Sequence, residues 1–195
     1  MIKGRLVSLR PLAIQDLDIV LTWYQSSETL LYASSNPYEI VTKHDLENRL
    51  INNNSNRKYY GIEDVNGKLI GEISYWVVDL RSQSTVELGI VIQESDTNKG
   101  YGAEAVLLML KIIFSNIKIN KVEMVIGKHN HFSYESLYNS VINREGTLIN
   151  DRYIDGKYYN TIIYGITKSK FEKEYNKLST KLYNNLLVND YESDK

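Results

Sequence analysis

The chain contains no cysteine. Disulfides, thiolate nucleophiles and cysteine-based zinc sites are therefore excluded. Proline is almost absent as well, with 2 in 195 residues, and glycine numbers only 11. No internal repeat and no low-complexity linker interrupts the chain. Nor is there a run of about 18 apolar residues, the length a spanning helix needs. Met1-Ile2-Lys3-Gly4-Arg5-Leu6 leads straight into an alternating stretch, without the apolar core of a secretory signal. A soluble, cytoplasmic protein without a membrane partner is expected. An excess of either charge is also missing. Lys and Arg number 23 against 24 Asp and Glu, for a formal net charge of -1, so no nucleic-acid partner is expected. What is present is 43% hydrophobic content over 195 residues, enough for one substantial core and one domain.

Strand and helix periods alternate along the chain. Val7 to Leu12 alternates like a strand, and Pro11 confines it to a strand end or an edge. Leu17, Val20, Leu21 and Tyr24 recur at helical spacing, with Asp16 and Asp18 where the helix dipole favours negative charge. Thr42 and Asp45 have the spacing of a capping box and predict a second helix through Leu46 and Leu50. Tyr59 to Val65 and Lys68 to Val78 flank Asn66-Gly67, a dipeptide suited to a two-residue hairpin turn. Thr85 to Ile92 is rich in β-branched residues, with Val86, Leu88, Ile90 and Ile92 on one face and Glu87 on the other. A helix is predicted from Glu104, a strand over 121–126, and a weakly patterned helix over 133–141. Thr147 to Ile154 and Lys157 to Thr167 surround a second hairpin signal, Asp155-Gly156. Phe171, Tyr175, Leu178, Leu182 and Leu186 form an apolar stripe ending in a polar tip. Residues 1–168 are predicted to be the domain and 169–195 a C-terminal helical extension.

Between the strand ending at Ile92 and the helix beginning near Glu104 lies Thr97-Asn98-Lys99-Gly100-Tyr101-Gly102. Glycines there let backbone N–H groups approach a pyrophosphate, and the helix N-terminus adds positive potential. An ordinary tight turn accounts equally well for an isolated Gly-x-Gly. No Gly-Lys-Ser/Thr completes a P-loop and no third glycine completes a dinucleotide fingerprint. A lone strand glutamate such as Glu87 is ordinarily a solvated residue. His44, His129 and His131 lack a carboxylate or third ligand that would complete a metal site, so no metal is expected.

Several segments, in order, resemble the GNAT N-acetyltransferases, in particular the branch of ribosomal-protein N-terminal and polyamine acetyltransferases. They are Val7 to Leu12 with Asp16-Leu17 and Trp23; Leu69-Ile70-Gly71-Glu72-Ile73; Glu87-Leu88-Gly89-Ile90; and Lys99 to Ala105. Lys121-Val122-Glu123-Met124, Asn130 with Ser133, Glu145-Gly146, and Asp155-Gly156-Lys157-Tyr158 follow. The resemblance spans roughly residues 5 to 167. The chain departs from it at Thr97, where the family has Arg or Gln, and at Val141-Ile142, where it has Gly-Phe. Leu137 stands where the family has a tyrosine, with Tyr138 beside it, and Asn160 replaces a common Asp.

The resemblance implies an α/β (α+β) fold, a mixed, mostly antiparallel sheet of six to seven strands flanked by helices, with the cofactor wedged between the diverging fourth and fifth strands. It implies acetyl transfer from acetyl-CoA to a primary amine, on a peptide N-terminus or a small molecule. With no cysteine and no serine triad, the attack is direct. Thr97, Asn98, Lys99, Gly100, Tyr101 and Gly102 would hold the pyrophosphate. Ile90, Val91 and Ile92 would pair with the pantetheine, with Asn130 on its arm. Glu87 would assist deprotonation of the amine, which has a pKa of about 10. Two residues compete to assist the leaving thiolate. Ser133 matches without a gap, and Tyr138 only after a one-residue slip, so the spacing favours Ser133. A homodimer is left open. A non-catalytic acyl-CoA-binding or interaction module is the alternative, motivated by Thr97 and Leu137.

Overall fold

Alternating side chains and turn residues fold the chain into one sheet of eight strands. The computed structural model describes residues 1–33, 39–51, 57–78, 85–130, 142–177 and 179–180. The strands are β1 (Ile2–Lys3), β2 (Val7–Pro11), β3 (Arg57–Asp64), β4 (Leu69–Val77), β5 (Thr85–Ile92), β6 (Lys121–Gly127), β7 (Asn143–Ile154) and β8 (Lys157–Thr167). Their order is β1-β2-β3-β4-β5-β6-β8-β7, and every pair is antiparallel except β5 with β6. The sheet thus exceeds the expected six to seven strands by β1, whose two residues pair with Ser8 and Leu9 and are too few to show a period.

Helices cover both faces: α1 (Leu17–Tyr24), α2 (Ser27–Ala33), α3 (Lys43–Ile51) and α4 (Tyr101–Asn116). The crossover helix α4 buries Ala105, Met109, Ile113 and Phe114 against Val7, Leu9, Ile62, Ile73, Val86, Leu88 and Val122. On the opposite face, Leu17, Val20, Trp23, Tyr24, Leu30 and Leu46 pack with Leu69 and Val91. Residues 168–177 form a further helix, α5. Its Phe171 is buried, with ring centroid 5.2 Å from that of Phe114. Leu178, Leu182, Leu186 and the predicted helix over 133–141 lie outside the described residues.

The capping box is formed. Thr42 N–H donates to Asp45 Oδ2 at 2.8 Å, and Asp45 N–H donates to Thr42 Oγ1 at 3.2 Å. The two hairpins differ. Asp155 and Gly156 both have positive φ, 49° and 76°, as a two-residue type I′ turn requires. The Asn66-Gly67 connection is one residue longer than expected. Only Gly67 is left-handed, at φ 80°, and Asp64 N–H bonds Lys68 C=O around a three-residue loop. The Asp64 side chain takes the N–H groups of Asn66 and Lys68, both at 2.9 Å, which stabilises the longer turn.

The start of the chain is fixed by a buried carboxylate. Glu104, fully inaccessible in the first turn of α4, accepts the backbone N–H groups of Arg5 at 2.8 Å and of Leu6 and Val7 at 2.7 Å. Gly4 makes room for it, since a Cβ there would lie 2.5 Å from the carboxyl carbon. Glu104→Gln sets an amide N–H against a backbone N–H in a buried site. It is expected to cost about 2 kcal/mol or more of stability in denaturant unfolding; an unchanged midpoint would show that the clamp is dispensable.

Candidate active site

β5 is paired along its whole length with β4, from Val77↔Val86 to Gly71↔Ile92. With β6 it shares only Thr85↔Lys121, Val86↔Val122 and Glu87↔Glu123. Beyond Glu87 the two strands part, while β6 continues along β8 as far as Gly127↔Thr161. A wedge therefore opens at Glu87, with the unpaired edge of residues 88–92 on one side. Ile90 and Ile92 turn toward the α4 core, and Val91 is buried against the α1 side.

The wide end of the wedge leads to the glycine turn. Asn98 and Gly100 are left-handed, at φ 60° and 79°, and Gly100 caps α4. The first amides of α4 point outward there, and Glu104 N–H to Gly100 C=O is the helix's first closure. Thr97 turns its hydroxyl onto the Glu94 carbonyl at 2.9 Å, leaving the backbone as the lining of the turn. Asp96 anchors the loop from within, accepting Lys68 Nζ at 2.8 Å, Lys99 Nζ at 2.7 Å and Gln93 Nε2 at 2.9 Å. Burial acts to raise the Asp96 carboxyl, and the two ammonium groups outweigh it and hold the group below the usual carboxylate range. Free N–H groups at a helix terminus are the kind of lining that suits an anion, while the two nearby lysines are engaged by Asp96.

At the narrow end stand the carboxylates. Glu87 is half-buried and, among the described residues, has neither an ion-pair nor a hydrogen-bond partner. Burial pushes its carboxyl above the ordinary range; Arg57 and Arg152 act against that rise and Glu123 adds to it. Glu123 is paired with Lys121. Glu72 is buried under α1 and accepts the Tyr24 hydroxyl at 2.6 Å, with burial the larger influence raising its carboxyl. Of these carboxylates, Glu87, at the vertex of the wedge, is the one without a partner among the described residues.

Ser133 and Tyr138 lie outside the described residues. Asn130 stands just beyond β6, its Nδ2 3.4 Å from the Tyr32 carbonyl. His129, which the sequence leaves as an ordinary loop residue, is buried, with Nε2 2.9 Å from the Leu31 carbonyl and its ring beside Tyr32 and Tyr159. Asn160 uses Oδ1 to accept Asn150 N–H at 3.0 Å. Among the described residues no group of three His, Asp or Glu side chains could hold a metal, and no helix is long and apolar enough to cross a membrane. Sequence reasoning missed Arg57, which follows a polar run and carries no motif.

A mostly antiparallel sheet split by a wedge between its two parallel strands, with a glycine turn leading into the crossover helix, is the architecture of an N-acyltransferase fold. Residues 6–135 match the family model described as Acetyltransferase (GNAT) domain. The chain belongs to the GNAT acetyltransferase family, and it is an N-acetyltransferase moving acetyl from acetyl-CoA to an amine. It is 25% identical over 157 residues to the spermidine N(1)-acetyltransferase of Escherichia coli, covering 80% of this chain and 83% of that protein. The Vibrio cholerae spermidine N-acetyltransferase in complex with CoA and spermine superposes with a TM-score of 0.76 at 20% identity, over 86% of this chain and 99% of that one. A GNAT-family acetyltransferase from Bacillus anthracis gives 0.72 at 22% identity, over 86% and 98%.

Proposed function

We propose that this chain acetylates the primary amine of a small molecule by direct attack on acetyl-CoA bound in the wedge. The carrying observation is that β5 and β6 share only three residue pairs and separate at Glu87. The pantetheine would lie along Ile90, Val91 and Ile92 like an added strand, with Asn130 on its arm. The pyrophosphate would rest on backbone N–H groups from Asn98 to Gly102, and Lys99 and Tyr101 would flank it. The similarity to a spermidine N(1)-acetyltransferase favours a small-molecule acceptor over a peptide N-terminus. We read residues 1–168 as the catalytic domain of a cytoplasmic enzyme, with 169–195 as an extension.

In this reading the amine nitrogen attacks the thioester carbonyl, the carbon–sulfur bond breaks, and Glu87, directly or through a water, takes the proton that the acceptor ammonium must lose. Ser133 then serves the departing thiolate, whose conjugate acid has a pKa of about 8.5.

Gly100→Val places a branched side chain at φ 79° in the middle of the turn and is expected to weaken CoA binding at least about tenfold. The backbone strain of about 1–2 kcal/mol lowers the melting temperature as well. Unchanged affinity by calorimetry in a folded variant would rule out this turn as the pyrophosphate site.

Glu87→Gln keeps the shape and removes the base, so turnover should fall about 100- to 10,000-fold with CoA affinity retained. Because burial raises the Glu87 carboxyl, the active carboxylate form is lost as pH falls through that raised value. The wild-type kcat/KM therefore has an acid limb above the ordinary carboxylate range, and the limb should vanish in Glu87→Gln. The same limb in both proteins would assign it to another group.

Turnover of Ser133→Ala and Tyr138→Phe separates the two candidates for the leaving group. The larger loss is expected in Ser133→Ala. A large loss confined to Tyr138→Phe would reverse the assignment, and no loss in either would mean that the thiolate departs unaided.

A further inference from the structure

The face of the sheet that carries Glu87 also carries an unpaired cation. Arg57, Trp76 and Glu87 are register partners across β3, β4 and β5, so their side chains leave the same face. The guanidinium of Arg57 lies 4.0 Å from the Trp76 ring centroid. It donates to Ser74 Oγ from Nε at 3.1 Å and from Nη2 at 2.9 Å. A glycine sets its reach: a Cβ at Gly89 would stand 3.2 Å from Nη2 and 3.4 Å from the Trp76 ring. Gly89 and Glu87 are same-face neighbours on β5, about 6.7 Å apart. The cation is thus delivered across β4 to the neighbourhood of Glu87, yet among the described residues neither forms an ion pair.

The other carboxylates of this face are accounted for, Glu72 by the Tyr24 hydroxyl and Glu123 by Lys121. Arg152 donates to Thr161 Oγ1 at 3.1 Å. Among the described residues of this face, one positive and one negative group remain, both half-buried and standing apart, an arrangement that costs free energy until a ligand bridges it. Ser74 occupies Nε and one hydrogen of Nη2. Nη1 and the other Nη2 hydrogen are left as a fork suited to a carboxylate.

We propose that the acceptor is an α-amino acid, or a zwitterion of the same short spacing, with its amino group toward Glu87 and its carboxylate on Arg57. This rests on the function proposed above. The reaction balances as before: the nitrogen–carbon bond forms and the carbon–sulfur bond breaks. One proton of the ammonium passes to Glu87 and a second ends on the CoA thiolate. A linear polyamine would set a second cation against Arg57, and an amide or a peptide N-terminus would offer the fork only a neutral carbonyl.

The test is kcat/KM, read by thiol release from acetyl-CoA, for a panel of α-amino acids, the corresponding α-carboxamides, and spermidine. The best amino acid should exceed its carboxamide by at least about tenfold, the usual scale of a hydrogen bond to a charged group. Arg57→Gln, and Gly89→Ala by displacing the guanidinium, should compress that ratio to within about threefold; Arg57→Lys keeps the charge without the fork and should fall between. Calorimetric CoA binding verifies that each variant is folded. Equal turnover of acid and carboxamide, a preference for spermidine, or an unchanged ratio in Arg57→Gln would overturn this inference and leave the proposed function standing. Transfer to no amine at all by a protein that binds CoA would overturn both.

Discussion

The wedge exists because the ends of two adjacent strands are tied to different partners. The end of β5 is drawn toward β4: Gln93 N–H bonds the Ile70 carbonyl at 2.8 Å, Trp23 Nε1 holds the Gln93 side chain at 3.1 Å, and Asp96 reaches Lys68. The end of β6 is drawn the other way. It runs along β8 to Gly127, and Lys128 N–H bonds the Asn160 carbonyl at 2.8 Å. The chain must also cross from β5 to β6 through α4, which begins at the turn and packs on one face of the sheet. Closing the wedge would require breaking one of these sets of bonds, so the opening is a product of the hydrogen-bond network and does not need a ligand to wedge it apart.

The distribution of carboxylates follows a simple economy of partners. Asp16 is held below the usual carboxylate range by the guanidinium of Arg10, with which it makes contacts of 2.6 and 2.9 Å. Asp96 has two ammonium groups, Glu104 three amides, Glu72 a phenol and Glu123 a lysine. Each of these is explained by the fold alone. Glu87 is half-buried and, among the described residues, has no such partner. Arg57 is the matching exception among the cations of the same face, held by a neutral hydroxyl and an aromatic ring.

Much of this was readable from the residues. Alternation marked β5, helical spacing marked α1 and α4, and the position of the glycines between them was sufficient for the turn. Elements missing from the reading had no period to detect: β1 is two residues long, and α2, with the sequence SETLLYA, is too short to show a stripe. The extra residue in the β3–β4 loop depends on the Asp64 side chain capturing two backbone amides, a contact that a dipeptide rule does not contain. The role of Glu104 has no signature in the sequence, since only the packed fold shows three amides converging on it. Arg57 became visible through cross-strand register, because its neighbour Gly89 lies 32 positions away in sequence and two strands away in space.

The Glu104 clamp has a further consequence. One carboxylate joins the backbone of residues 5–7 to the helix whose first turn follows the glycine turn at the wide end of the wedge. Hydrogen exchange at the Arg5, Leu6 and Val7 amides would therefore report on the integrity of α4. A deuterium-uptake experiment that follows those few N–H groups would register loosening of α4 without any label placed in the helix itself.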